Sequence, residues 1–383
     1  MAKEFIVPGR MVCGSGALEL AQSSIASMGH KALIVTGQVM IQLGNCAKVE
    51  NALREQGVAY TVFADISGEP TDRMIEAGLE VYRREQCDFL IALGGGSPID
   101  SMKAIGSLVY DGGDICDYMG KVINVPMPPM VAIPTTAGTG SEATQFTIIT
   151  DTRKNVKMLL KGACLMPHLA VIDPQFTMTA PAKLTAATGL DALCHAVEAY
   201  TSRKAQIMSD TFAVSAVKRI VRYLPVAFRN GADEEARIQM SVAALEAGIA
   251  FNNASVTIIH GMSRPIGALF HVAHGLSNAM LLKACLEFAL EGAYDRFADL
   301  GKAVGVAGEM DSDKVASEKF LRAVIDLTRQ LQIPTLAEFG VDRDEFFGAI
   351  DKMAEDAMIS GSPQNTCRNV SLEDVKQIYR SLW

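Results

Sequence analysis

The chain has 383 residues, 49% of them hydrophobic and 20% charged, which is long enough for two domains and apolar enough to bury their cores without disulfides. Its formal net charge of −8 argues against nucleic acid or an anionic membrane as a partner, because both recruit basic surfaces. The eight cysteines are scattered with no C-x-x-C pair, which excludes a zinc knuckle or dithiol motif and fits reduced thiols in a cytoplasmic protein.

KALIVT at 31–36 predicts a buried strand, residues 38–57 a helix ending at Gly57, AYTVFAD at 59–65 a second strand and 71–86 a second helix. DFLIAL at 88–93 predicts a third strand that runs directly into Gly94-Gly95-Gly96-Ser97 and a helix beginning PIDSMKAI. MVAIPTT at 130–136 predicts another strand. QFTIITD and VKMLL read as a hairpin, and LAVID as a further strand closing at Pro174. The alternation predicts an α/β N-terminal domain with a Rossmann-like parallel sheet and helices on both faces. From about residue 183 only helical periodicity remains, in segments such as KLTAATGLDALCHAVEAY and EARIQMSVAALEAGIAF. The expected division is a nucleotide-binding domain over 1–182 and an all-helical, metal-binding domain over 183–383. No signal peptide is visible, and no run reaches the roughly 18 apolar residues that span a bilayer.

Two loops carry the nucleotide reading. Gly94, Gly95, Gly96 and Ser97 lie between a strand and a helix, where glycines let the backbone approach a pyrophosphate and the helix N-terminus presents free N–H groups. Ser97 could cap that helix or bond a phosphate oxygen, and Pro98 suits its first turn. The second loop, Pro134 to Glu142, also follows a strand and is dense in hydroxyls and glycines. Neither loop is a G-x-G-x-x-G fingerprint or a Walker A motif.

The metal reading starts from Asp191 and His195, four residues apart and therefore on one helix face. His260 and His274 are fourteen apart, some 21 Å along a continuous helix, so the chain must fold back between them. Pro265 with Gly267 offers the break, and on spacing alone His271 competes as a ligand. One carboxylate and three imidazoles suit Fe²⁺ or Zn²⁺ better than oxygen-seeking Mg²⁺ or Ca²⁺.

GGGSPIDSMKAI, AIPTTAGTGSE, AATGLDALCHAVEAY and HGMSRPIGA followed by HG resemble, in order and over nearly the whole chain, the iron-dependent (group III) alcohol dehydrogenases. The resemblance implies a metal site in the cleft between the two domains, with Asp191, His195, His260 and His274 as ligands and His271 outside the set. It implies Fe²⁺, with Zn²⁺ as alternative, acting as a Lewis acid on the substrate oxygen, and hydride exchange with NAD or NADP. The candidate cofactor residues are Gly37, Gly94, Gly95, Gly96, Ser97, Pro98, Asp100, Thr135, Thr136, Gly138, Thr139, Thr144 and Lys157, with Thr144 and Lys157 matching positions near the nicotinamide. Phe146, Phe251, Ser255, Thr257 and Arg264 are the candidate substrate residues. A small-molecule aldehyde or alcohol is the expected partner, in a homodimer or larger homo-oligomer, free in the cytoplasm or inside a bacterial microcompartment.

Three departures from the family pattern carry information. Relatives preferring NAD often have an aspartate after the first strand, where this chain has Gly37, yet nearby residues 38–41 supply no cation for a 2′-phosphate. Relatives often have histidine where Arg264 stands, and Gly-Leu-Gly-Leu where this chain has Ser255-Val256-Thr257-Ile258. An arginine fork beside two gained hydroxyls points to an anionic aldehyde such as sulfoacetaldehyde, with isethionate as product. The sequence looks like the sulfoacetaldehyde reductase branch, and neutral aldehydes or diols are the alternative. A dehydroquinate-synthase-like lyase shares the general plan, but its multiply charged substrates call for more basic residues than Lys183 and Arg264, the two present in segments 183–200 and 251–278.

Overall fold

The structure, a computed structural model, describes residues 2–383. One compact unit spans Ile6–Ala180. Its strands are β1 (Arg10–Cys13), β2 (Lys31–Val35), β3 (Ala59–Phe63), β4 (Phe89–Gly94), β5 (Met130–Pro134), β6 (Phe146–Asp151), β7 (Val156–Lys161) and β8 (Leu169–Ile172). Six of them form one parallel sheet in the order β1-β8-β5-β4-β2-β3, while β6 and β7 pair antiparallel as a separate hairpin.

Strand periodicity of two divides the sheet's side chains between two cores. Leu33, Val35, Leu90, Ala92, Met130 and Ala132 point to one face, against helices α4 (Asp72–Arg84) and α5 (Gly96–Leu108). Ala32, Ile34, Phe89, Ile91, Val131 and Ile133 point to the other, against α1 (Ala17–Ala26) and α3 (Asn45–Glu55). Burial on both faces is why these strands read as unbroken apolar runs. Two details differ from the sequence expectation. The stretch 38–57 is not one helix but α2 (Gln38–Gln42) and α3, because Gly44 takes φ 73° between them. The edge strand β1 was not anticipated.

The second unit comprises Pro181–Trp383 and the N-terminal stretch up to Phe5. Lys3 Nζ bonds the carbonyls of Lys204 and Ala205, and Phe5 stacks on Phe212. Its helices are α6 (Ala182–Tyr200), α7 (Ile207–Arg229), α8 (Glu234–Ala254), α9 (Ile258–Phe270), α10 (His274–Leu290), α11 (Tyr294–Ala303), α12 (Asp313–Gln330), α13 (Leu336–Phe339), α14 (Arg343–Ile359) and α15 (Leu372–Arg380). α6, α7 and α8 pack on one another, and α10 lies against α6 and α9. The axes of α8 and α9 meet at 105° across a short break.

The fold-back between His260 and His274 is present, but not at Pro265 and Gly267. α9 runs through both, at the expense of one backbone hydrogen bond, and ends at His271, whose φ of 55° is left-handed.

Candidate functional site

Helix α6 places Asp191 and His195 one turn apart on a fully buried stretch, α9 contributes His260 in its first turn, and His274 opens α10. The Nε2 atoms of His195, His260 and His274 lie 4.0, 3.6 and 3.8 Å from Asp191 Oδ1. Ligand atoms at bonding distance from one tetrahedral metal ion sit about 3.4 Å apart, so this spacing is that of a coordination shell. His271 is exposed and lies outside the cluster. The His274 side chain is 40% exposed, against 5% or less for the other three members, so the cluster opens to solvent on one side. Catalytic metal sites keep such an open position.

A second layer fixes these rings. Glu198, on the same buried helix, takes a hydrogen bond from His260 Nδ1 through Oε2. Its Oε1 accepts from Thr257 Oγ1 at 2.8 Å and from the Ile259 N–H at 2.7 Å. Because a carboxylate only accepts, Nδ1 must carry a proton; burial disfavours a charged ring, but Glu198 and Asp191 outweigh it and push His260 up to about 9, so without a metal Nε2 also holds a proton toward the Asp191 oxygen, which a bound metal would displace. A proton or a metal ion between the ring and the carboxylate satisfies both. Asn278 lies beside them: its Nδ2 donates to Asp191 Oδ1 at 2.7 Å and lies 3.1 and 3.4 Å from the Nε2 atoms of His260 and His274. One carboxylate oxygen and three ring nitrogens converging within 4.8 Å of one another are a donor set that fits a divalent transition metal. Burial drives the His195 ring down to about 3, which keeps it neutral and ready to ligate. Burial opposes ionisation of Asp191, yet the imidazoles around it hold it well below the usual carboxylate range.

The candidate substrate residues divide. Phe251 stacks on His195 with ring centroids 4.2 Å apart, forming a wall of the cluster. Thr257 is buried and donates its hydroxyl proton to Glu198, which ties it to the support of His260. Arg264 follows His260 by one turn of α9 and is half-buried. Burial holds its guanidinium below the ordinary arginine range, with Glu198 acting against that, and among the described residues no carboxylate or carbonyl bonds it. Ser255 ends α8 at φ 87° and ψ 158°, a conformation open to glycine and costing a serine about 1–3 kcal/mol.

In the α/β unit the two loops touch. A Cβ on Gly95 would lie 3.2 Å from Thr136 Oγ1, and one on Gly96 3.1 Å from Thr139 Cγ2, so any side chain there would push the threonines back by a few tenths of an ångström. Helix α5 begins at Gly96 with no side-chain cap at Gly95; Ser97 is inside the first turn with Pro98, and does not cap. Its free N–H groups remain available to a phosphate. Gly94 and Thr135 form the joint between the strand ends, through the Thr135 N–H to the Gly94 carbonyl at 2.9 Å, and Gly138 is buried in the second loop. Other candidates are committed elsewhere. Asp100 is buried and accepts from the Ile148 N–H, Thr144 faces α5, Phe146 offers its carbonyl to the same helix, and Lys157 Nζ pairs with Glu69 at 2.7 Å. Gly37 bridges to Asp65, and a Cβ on it would lie 2.6 Å from the Ile66 carbonyl oxygen.

The residue that organises this region is Lys103, which sequence reasoning missed. It is fully buried, and its ammonium donates to the carbonyls of Ser141, Thr144 and Phe146 and to Thr144 Oγ1 at 2.7–3.0 Å. Burial pushes it down to about 8, with Asp100 and Glu142 pulling the other way. The legible signal was α5 itself, where every residue from Pro98 to Leu108 is buried, leaving a lysine no solvent to reach. Lys103→Met should lower unfolding stability by about 3 kcal/mol, because buried carbonyls lose their donor. It should also weaken the binding of a dinucleotide at the glycine loops, through the loosened loop. Urea denaturation and fluorescence titration check both, and unchanged values would mean the loop holds itself.

Residues 8–174 match the family described as iron-containing alcohol dehydrogenase, and 185–383 match the C-terminal part of the Fe-containing alcohol dehydrogenase family. The chain is 36% identical over 380 residues to the NAD-dependent methanol dehydrogenase of Bacillus methanolicus, covering 98% of this chain and 99% of the relative. The crystal structure of a 1,3-propanediol oxidoreductase is similar with a TM-score of 0.96 and 35% identity, over 100% of both chains. Sulfoacetaldehyde reductase from Bifidobacterium kashiwanohense, solved in complex with NAD+, gives a TM-score of 0.90 at 27% identity, over 100% of this chain and 99% of that one.

Proposed function

Because the chain belongs to the iron-containing alcohol dehydrogenase family, and is an oxidoreductase that uses iron and NAD, we propose that it reduces a short anionic aldehyde, with sulfoacetaldehyde as the best fit. Iron, when bound, supplies Lewis acidity toward the substrate oxygen, and NADH the hydride. The chain's own residues do the rest. Asp191, His195, His260 and His274 would hold the metal, Glu198 keeps the proton on His260 Nδ1, and Phe251 packs against the ring of His195. The free N–H groups at the start of α5, with Gly95, Gly96, Ser97, Thr136 and Thr139 part-exposed around them, would receive the dinucleotide phosphates.

The observation that carries the anionic reading is Arg264. A half-buried guanidinium without a protein acceptor is an expensive thing to keep, and a ligand anion would offset that cost. One helical turn of α9 separates it from His260, so both residues lie on one face of the helix, and Glu198 is near enough to act on both. Gly37 removes the carboxylate that would repel a 2′-phosphate, but residues 38–41 supply no cation to hold one, so the reading keeps NAD. We place the enzyme in the cytoplasm, where its eight cysteines stay reduced, and as a homodimer or larger homo-oligomer.

A second reading, reduction of neutral short aldehydes or diols, is favoured by the likeness to the 1,3-propanediol oxidoreductase structure. The deciding experiment follows NADH consumption by Fe²⁺-loaded protein with sulfoacetaldehyde, propionaldehyde and lactaldehyde. A clear preference for sulfoacetaldehyde is expected. Preference for the neutral aldehydes would retain the metal chemistry and remove Arg264 from substrate recognition.

A further inference from the structure

The elbow between α8 and α9 is the most strained point near the metal cluster, and it is held from far away in sequence. Ser255 sits there in its glycine-type conformation, and its Oγ accepts from Asn365 Nδ2 at 3.0 Å. The same amide donates to the Val256 carbonyl at 3.1 Å. Asn365 is buried and ends the short 3-10 turn Pro363–Asn365. That turn also seats α9 directly, since a Cβ on Gly261 would lie 2.6 Å from Pro363 Cδ. A backbone bridge from Thr366 to Ser202 and a bond from Arg203 Nε to the Thr366 carbonyl anchor the turn to the residues just after α6.

The elbow leads straight into the supports of the cluster. Two residues after Ser255, Thr257 bonds Glu198, and three further on His260 faces Asp191. A shift in the Ser255–Val256 peptide is thus passed to a metal-facing ring through a helix start and one carboxylate.

We propose that Asn365 is a positioning residue for the metal cluster, clamping the Ser255–Val256 elbow so that α9 presents His260 at bonding distance. A serine needs the clamp because its backbone is strained there, whereas a glycine would hold the elbow unaided. The inference rests on His260 as a metal ligand and is independent of which aldehyde is reduced.

The test is a Co²⁺ titration of the metal-free full-length protein, read by the visible absorption bands of the bound ion. Asn365→Ala should weaken Co²⁺ binding about tenfold and shift the bands, a change that lost fold stability alone would not produce. In a Ser255→Gly background the same substitution should weaken binding less than about threefold, the signature of coupled residues. Equal losses in both backgrounds, or unchanged affinity and bands in Asn365→Ala, overturn the clamp. If Asn365→Ala alone does not fold, a double variant that folds and binds Co²⁺ near the parent affinity supports it, and one that fails to fold overturns it. A parent protein that binds no Co²⁺ overturns the ligand assignment and the clamp together, while a binding parent with unaffected variants overturns the clamp alone.

Discussion

Alanine at position 191 is expected to leave the protein folded, nearly free of iron, and slower toward every aldehyde by on the order of 10³–10⁴-fold, since a Lewis acid lowers such a barrier by several kcal/mol. Asp191 Oδ1 is the atom on which the three imidazole nitrogens converge, at 3.6–4.0 Å, and it is the only negative charge in the set. Without it, three imidazoles converge with no anionic ligand among them to offset a divalent charge. Iron per chain after gel filtration, measured beside NADH consumption, reads the two effects separately. NADH binding should stay within about twofold of the parent, because the glycine loops belong to the other unit. An Asp191→Ala protein that keeps its iron and its rate would remove the metal from this cluster.

Arg264→His should lower kcat/KM for sulfoacetaldehyde about 30- to 1000-fold, corresponding to roughly 2–4 kcal/mol for losing a desolvated charge pair. Assayed near pH 8, where an ordinary imidazole is neutral, propionaldehyde should change less than about threefold. The variant should also be no less stable than the parent, since in the free protein the guanidinium is desolvated and has no acceptor among the described residues. A marked drop in the unfolding midpoint would reveal a structural arginine. Equal losses on both aldehydes would sink the anionic reading.

Much of this was legible in the residues. β2, β4 and β5 announced themselves as apolar runs because both faces of the sheet are covered, and the Asp191–His195 spacing placed two cluster members on one helix face. β1 was not legible: of RMVC only Val12 is buried, and a four-residue edge strand has no room for a pattern. The pairing of His260 with His274 needed the whole-chain resemblance, because the visible helix breakers at 265 and 267 are absorbed and the real turn lies at His271. Lys103 and Glu198 were passed over for the same reason, a charged residue in a helix being usually solvated, although each lies on a stretch too apolar to leave it outside. Asn365 left no local trace, since its partner Ser255 is 110 residues away.

Gly37 has a consequence for how such enzymes diverge. An aspartate there would set its Cβ 2.6 Å from the Ile66 carbonyl oxygen, so the acidic residue common in NAD-preferring relatives cannot be grafted into this backbone by one substitution. The backbone at Ile66, three residues past the end of β3, would have to shift with it. Because the obstacle is a main-chain oxygen, no side-chain change at position 66 removes it, and directed evolution of cofactor preference here should vary the length and backbone of the segment around Ile66 together with position 37.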